Sequence, residues 1–415
     1  MISTIKILPS NLVNRIAAGE VVERPASVVK ELVENSLDAG ATQIDVDFSE
    51  GGKTYLAITD NGKGMNAEDL ELCLLRHATS KLPDEDLFNI KFFGFRGEAI
   101  PSIASISKMK ISSILKGSSE ANQIYIEGGN IIYKKPSNIS EGTKIEISDL
   151  FYATPARLKF LKTERSEKSK IIDIVNKFAM VNPECGFSLR ENGKIILDYK
   201  KNLFSENAWL KRIGEILGED FQENCVEINT KRGNAELKGF ASLPTFNRST
   251  SADQFLFVND RPVRDKAILG AIRGAYLDFL ARDRNAVVAL FLKLPADEVD
   301  VNVHPAKAEV RFRFEAEIRG LIVGAIKMAL SNAGHRASNT ISEDALAKFE
   351  ISENHNYLSE KTSNFYAGKN IVNYQKNNSS VNFSSKIFAP QELPPASKNY
   401  EKESFSSQNN SEIQP

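Results

Sequence analysis

The stretch Pro25-Ala26-Ser27-Val28-Val29-Lys30-Glu31-Leu32-Val33-Glu34-Asn35-Ser36-Leu37-Asp38-Ala39-Gly40 decides the fold. A proline suits a first helical turn and a glycine suits the position after a last one, so residues 26–39 read as a helix. At about 100° per residue, Glu31, Asn35 and Asp38 fall within about 60° of one another. Val29, Leu32, Val33 and Ser36 cover the opposite side. A polar stripe is usually just a solvated face. This one also suits a nucleotide. Asn35 offers Mg²⁺ a neutral carbonyl oxygen, leaving the remaining positions to phosphates and water. Glu31, one turn earlier, can orient and deprotonate an attacking water.

Working outward, Ile44-Asp45-Val46-Asp47-Phe48 alternates as a strand does, and Tyr55-Leu56-Ala57-Ile58-Thr59 is a second strand. The second strand runs straight into Asp60-Asn61-Gly62-Lys63-Gly64. Glycines there let a flat base approach the backbone, and Asp60 can accept from an exocyclic amine. Gly52-Lys53-Thr54 imitates the end of a P-loop. Asp47 stands where that motif needs its first glycine, and a strand follows instead of a helix. Arg76-His77-Ala78-Thr79-Ser80-Lys81 leads to Gly94-Phe95-Arg96-Gly97-Glu98-Ala99, a polar, glycine-punctuated segment that reads as a lid. A helix from about Glu98 would offer free N–H groups to a phosphate.

Further strands are expected at 111–114, 123–127, 143–147, 235–241, 254–259, 286–293 and 309–314. Helices are expected at 69–75, 169–180, 265–281 and 315–331. With 41% hydrophobic and 26% charged residues, the 415-residue chain can bury a substantial core. A net charge of -1 neither demands nor excludes a nucleic-acid partner. Cys73, Cys185 and Cys225 are isolated, and the four histidines show no zinc spacing. No run approaches the roughly 20 apolar residues of a membrane span, which points to a cytoplasmic protein with no membrane partner. Residues 351–415 hold 12 Ser and 11 Asn without hydrophobic period. Such a segment cannot offset its ordering entropy. The expected division is 1–200, 201–335, and a disordered linker over 336–415.

The helix, the glycine turn and the lid, in this order, resemble the GHKL ATPases. Ile16-Ala17-Ala18-Gly19-Glu20-Val21-Val22-Glu23-Arg24-Pro25, Glu34 to Gly40, Gly94 to Ala99, Asp149-Leu150-Phe151-Tyr152, Thr154-Pro155-Ala156-Arg157 and Asn302-Val303-His304-Pro305-Ala306-Lys307 narrow the resemblance to the MutL mismatch-repair family. It covers roughly residues 1–335. Ala153 departs from the family pattern, which has asparagine there. Gyrase-type topoisomerases and heat-shock chaperones fit the 16–25 and 302–307 segments less well. No histidine lies in the two-helix pattern of a histidine kinase.

The resemblance implies an α+β chain: a GHKL (Bergerat) ATP-binding α/β sandwich, then a ribosomal-S5-like α/β domain. It implies Glu31 as general base and Asn35 as Mg²⁺ ligand. Asp60, supported by Thr143, would read adenine. Asp38, Gly64, Thr79, Gly94, Phe95, Arg96 and Gly97 would contact ATP. Lys307 would reach the γ-phosphate, where a cation stabilises the charge that moves in phosphoryl transfer. Slow Mg-dependent hydrolysis, ATP-driven homodimerisation through residues near 1–20, and a clamp on DNA are implied too. So are partners: a mismatch-recognition protein of the MutS type, a repair endonuclease and a helicase. Two basic clusters, within 157–170 and 261–284, are candidates for sequence-blind phosphate contacts. The resemblance favours the second, with Arg264, Lys266 and Arg273. A scaffold that binds nucleotide without hydrolysing it remains an alternative. The Asp-Gln-His-Ala nuclease motif of some family members is absent from this sequence, so no endonuclease activity is expected of it.

Overall fold

The computed structural model describes residues 8–81, 97–202, 208–300 and 310–349. Alternation between 43 and 49 does produce a strand, β1 (Gln43–Ser49), with Ile44, Val46 and Phe48 buried. It is followed by β2 (Tyr55–Asp60), β3 (Lys108–Ile114), β4 (Ala121–Glu127), β5 (Asn130–Pro136), β6 (Thr143–Ser148), β7 (Gly186–Glu191) and β8 (Lys194–Tyr199). The eight form one sheet in the order β5-β4-β3-β6-β2-β1-β7-β8. β1 and β7 run parallel, and the other neighbours run antiparallel. Register places Asp60 opposite Thr143, and Thr143 opposite Ser113. Three positions that bear on the site therefore sit side by side on β2, β6 and β3.

Helices Ser10–Val21, Pro25–Asp38, Ala99–Ile106 and Glu164–Val181 share one core with this sheet. Val28, Val29, Leu32 and Val33 supply the contribution of the second helix. Each fully buried large side chain, such as Phe48 or Phe187, stabilises the core by roughly 1.5–3 kcal/mol relative to exposure. The result is a sheet with helices packed on it, the mixed α/β sandwich expected for the first half.

In the second half, strands Arg261–Val263, Gln254–Val258, Val288–Lys293, Ala235–Ser242 and Cys225–Arg232 form a five-stranded sheet in that order. Ile268 and Ile272 of helix Lys266–Ala275, with Leu321 and Ile322 of helix Glu315–Phe349, pack with Leu237, Val258 and Leu290. A separate aromatic cluster joins Phe240, Phe255, Phe257 and Phe291 to Trp209, and also to Met180 of helix Glu164–Val181. Arg212 of helix Ala208–Leu217 is wholly buried and donates to the carbonyls of Ala179, Pro183, Cys185 and Lys200. A buried guanidinium needs all its donors satisfied, and these carbonyls tie the second half to the end of the first.

Three boundaries differ from the sequence-based expectation. The helix expected over 265–281 ends at Ala275, because buried Tyr276 leaves the helical path to donate to Ser242 O. The strand expected over 309–314 is the two-residue pair Arg311–Phe312. Helix Glu315–Phe349 runs beyond residue 335, so the expected start of the linker at 336 falls inside it. Ala, Leu, Glu and Lys in Asp344–Phe349 and the residues just before are good helix formers, which a count of Ser and Asn undervalues. Residues 350–415 lie outside the described residues.

Candidate functional site

A cavity of about 640 Å³ opens between helix Pro25–Asp38, the ends of β2 and β6, and the 77–81 segment. Glu31, Asn35, Asp38, Asp60, Gly64, Thr79, Gly97 and Thr143 all line it. The structure thus brings together eight positions drawn from five separate stretches of sequence. Gly94, Phe95, Arg96 and Lys307 lie outside the described residues, as does the whole 302–307 motif.

The inner end is buried and closely hydrogen-bonded. Asp60 Oδ1 accepts from Gly62 N at 2.9 Å, and Asp60 Oδ2 accepts from Ser36 Oγ at 2.9 Å. Burial raises the Asp60 pKa above its ordinary value, while hydrogen bonds from Gly62, Ser36 and the Thr143 backbone oppose the rise. Ser36, placed by helix geometry on the side away from Asn35, is the carboxylate's partner, and both Ser36 and Leu32 line the cavity. Gly64 is glycine for a reason beyond base approach. Its φ is +67°, and a Cβ there would stand 1.8 Å from the Ile114 carbonyl oxygen. Cys73 lines the same end, and burial pushes its thiol up to about 12, so it stays protonated and inert.

The outer end is built from charges. Glu31 lies 3.4 Å from Lys30 Nζ. Lys81 Nζ donates to Asn35 Oδ1 at 2.7 Å and pairs with Asp38 Oδ2 at 2.6 Å. Lys81 belongs to the lid segment, and its role as a partner of the helix stripe had no local sequence signal. Two hard oxygen donors that already hold a cation between them have the chemistry for Mg²⁺. Lid and helix entrance also meet directly. Arg76 and His77 both lie 3.7 Å from Glu98, and a Cβ on Gly97 would be 2.5 Å from Ala78 O. The helix there begins at Ala99. Among the described residues no three His, Cys, Asp or Glu side chains converge as a metal cluster.

Away from the cavity, Arg264, Lys266 and Arg273 are all solvent-exposed. Lys266 and Arg273 are seven residues apart on one helix, hence on one face and about 10 Å apart along it. Arg273, Arg282 and Arg284 share a small recess with Tyr276. In the other basic cluster, Arg157 does not face outward to a partner. It donates to Gly19 O at 2.8 Å and Val22 O at 3.0 Å, capping the C-terminus of helix Ser10–Val21.

Residues 23–149 match the family model "Histidine kinase-, DNA gyrase B-, and HSP90-like ATPase". Residues 213–331 match the model "DNA mismatch repair protein, C-terminal domain". The chain is 53% identical over 344 residues to the DNA mismatch repair protein MutL of Paramagnetospirillum magneticum, covering 83% of this chain and 57% of that protein. It is also 53% identical to MutL of Rhodospirillum rubrum over 345 residues, covering 83% of this chain and 55% of that protein. It therefore spans little more than half the length of these relatives. Among solved structures, it is similar to the Aquifex aeolicus MutL ATPase domain complexed with ADP (29% identity, TM-score 0.53, 73% of this chain and 98% of that one). It is also similar to the N-terminal domain of a DNA repair protein (26% identity, TM-score 0.66, 77% of this chain and 98% of that one).

Proposed function

Because the chain belongs to the MutL family of DNA mismatch repair proteins, we propose that it binds and slowly hydrolyses Mg-ATP in this cavity, and that nucleotide state opens and closes a DNA clamp. One observation carries the reading: a single cavity joins a buried carboxylate at its inner end to Glu31, Asn35 and Asp38 at its outer end. A base-reading acceptor and a phosphate-handling cluster in one space are what a nucleoside triphosphate needs.

Asp60 accepts from the adenine amine, held in place by Ser36 and Gly62. Thr143, Gly64, Thr79 and Gly97 contact the nucleotide from the walls. Glu31 orients a water and takes its proton as the water oxygen bonds to the γ-phosphorus and the bridge to the β-phosphate breaks. Products are ADP and phosphate. Asn35 would hold Mg²⁺ beside the phosphates, with Lys81 giving way; when bound, the metal neutralises phosphate charge. Gly94, Phe95 and Arg96 complete the phosphate contacts, and Lys307 brings a cation to the γ-phosphate.

The clamp is a homodimer closed through the N-terminal arm. Leu12 and Ile16, one helical turn apart, are 43% and 54% exposed, and Leu8, just before the helix, is 46% exposed; a second copy would cover these apolar side chains. Arg264, Lys266 and Arg273 contact DNA phosphates without reading sequence. A mismatch-recognition protein of the MutS type, a repair endonuclease and a helicase are its partners in the cytoplasm. Among the described residues no helix is long and apolar enough to cross a membrane. Light scattering with and without a non-hydrolysable ATP analogue tests the clamp. A shift from monomer to dimer supports it, and an unchanged mass refutes it.

A further inference from the structure

Ser113 lies wholly buried on β3, opposite Thr143 of the cavity wall. Its hydroxyl sits at a junction. Ser113 Oγ accepts from Met65 N at 2.9 Å, lies 2.8 Å from Thr143 Oγ1, and lies 3.1 Å from Gly142 O. We propose that Ser113 is a positioning residue that directs the Thr143 proton into the cavity, and so makes the site prefer a base with an acceptor ring nitrogen beside its amine. The inference rests on the adenine reading of the cavity and deepens it.

The direction of the Ser113 hydroxyl follows from counting protons. A hydroxyl has one proton and two lone pairs. The Met65 N–H takes one lone pair of Ser113. The Ser113 proton then has two possible acceptors, Gly142 O and Thr143 Oγ1. Gly142 O already accepts from Ile114 N at 3.1 Å, so it has a donor without Ser113. Thr143 Oγ1 is the closer of the two and has no other donor in the described structure. With Ser113 donating to Thr143, the Thr143 proton is left for the cavity, which Thr143 lines. Asp60, two strand positions across from Ser113 in register, presents the opposite polarity: an acceptor. An acceptor and a donor side by side match the amine and ring nitrogen on the edge of adenine. Guanine and hypoxanthine carry a carbonyl and a ring N–H there, so they oppose both groups at once. Met65 follows Gly64, so the same hydroxyl also fixes the turn against which the base lies.

The test measures equilibrium binding of three triphosphates to wild type and Ser113→Ala in the full chain. ATP offers both the amine and the ring acceptor. 1-Deaza-ATP lacks the ring acceptor, and purine riboside triphosphate lacks the amine. Loss of one hydrogen bond predicts a roughly tenfold weaker affinity for ATP and for purine riboside triphosphate. Affinity for 1-deaza-ATP should stay within about twofold. Equal losses for all three ligands would reduce Ser113 to a support for the Met65 turn and overturn the proposal, as would no loss for any. Should Ser113→Ala not fold, Thr143→Val carries the same comparison with the same expected pattern. If wild type binds ATP no better than 1-deaza-ATP and purine riboside triphosphate, and Asp60→Asn changes nothing, the adenine reading itself has failed.

Discussion

The two ends of the cavity are built on different principles. At the inner end, Asp60, Ser36, Ser113 and Thr143 are buried and bonded to one another or to backbone of the sheet. At the outer end, Glu31, Asn35 and Asp38 stand on one helix and are engaged by lysines, one of them from the lid. A buried hydrogen-bond network is rigid because every rearrangement leaves a polar group unsatisfied. The Lys81–Asp38 pair at the outer end is itself largely out of solvent, so Lys81 can leave only when another cation takes its place. On the proposed reading, recognition of the base is preset in the sheet, whereas the phosphate end is completed when Mg-ATP displaces Lys81.

The largest break in this comparison should come from Asn35→Ala. Removing a metal-binding oxygen should lower Mg²⁺-supported ATP binding on the order of 100-fold or more, since even supporting groups around metals cost 10- to 100-fold. Titration calorimetry at varied Mg²⁺ reads it; unchanged binding would remove the metal from Asn35. Asp60→Asn acts at the other end. Loss of a hydrogen bond to a charged group should weaken ATP by roughly 10- to 100-fold, with little change in turnover once ATP is saturating.

Acid should separate the ends more gently. Burial raises the Asp60 pKa, so on acidification it gains a proton earlier than an ordinary aspartate. ATP affinity should therefore begin to fall above the usual aspartate range, and Asp60→Asn should lack that limb. Stability moves the other way. The fold favours the neutral carboxyl, so its contribution is present below the unfolded value and lost as pH rises through the raised one. The smallest effect belongs to neither end. Arg264→Glu should weaken DNA binding a few-fold and reduce the salt slope by about 1, equally on all sequences.

The outer end was the more legible in sequence. Glu31, Asn35 and Asp38 follow from helical period alone, because one turn brings them onto one face. Asp60 was readable as the end of a strand followed by glycines. Ser36 is buried with Val29, Leu32 and Val33 as the helical wheel has it, but the wheel does not show that Asp60 reaches it from β2. Ser113 and Lys81 carry no local signal. Their partners are 30 and 46 residues away, set by strand register and by the lid. Likewise β5 was not anticipated: as an edge strand it is exposed along its whole length, so Asn130–Pro136 shows no alternation. The Arg157 cap belongs with these, a basic residue that composition assigns to a surface and folding assigns to the carbonyls of Gly19 and Val22.

The central claim is that ATP is held by one set of groups and hydrolysed by another within a single cavity. Glu31→Ala tests it most directly, with ATP affinity and ATP turnover measured on the same preparation. The account predicts affinity within a few-fold of wild type and turnover lower by roughly 10²–10⁴, the range of a lost general base. Hydrolysis at the wild-type rate with ATP still bound would contradict it.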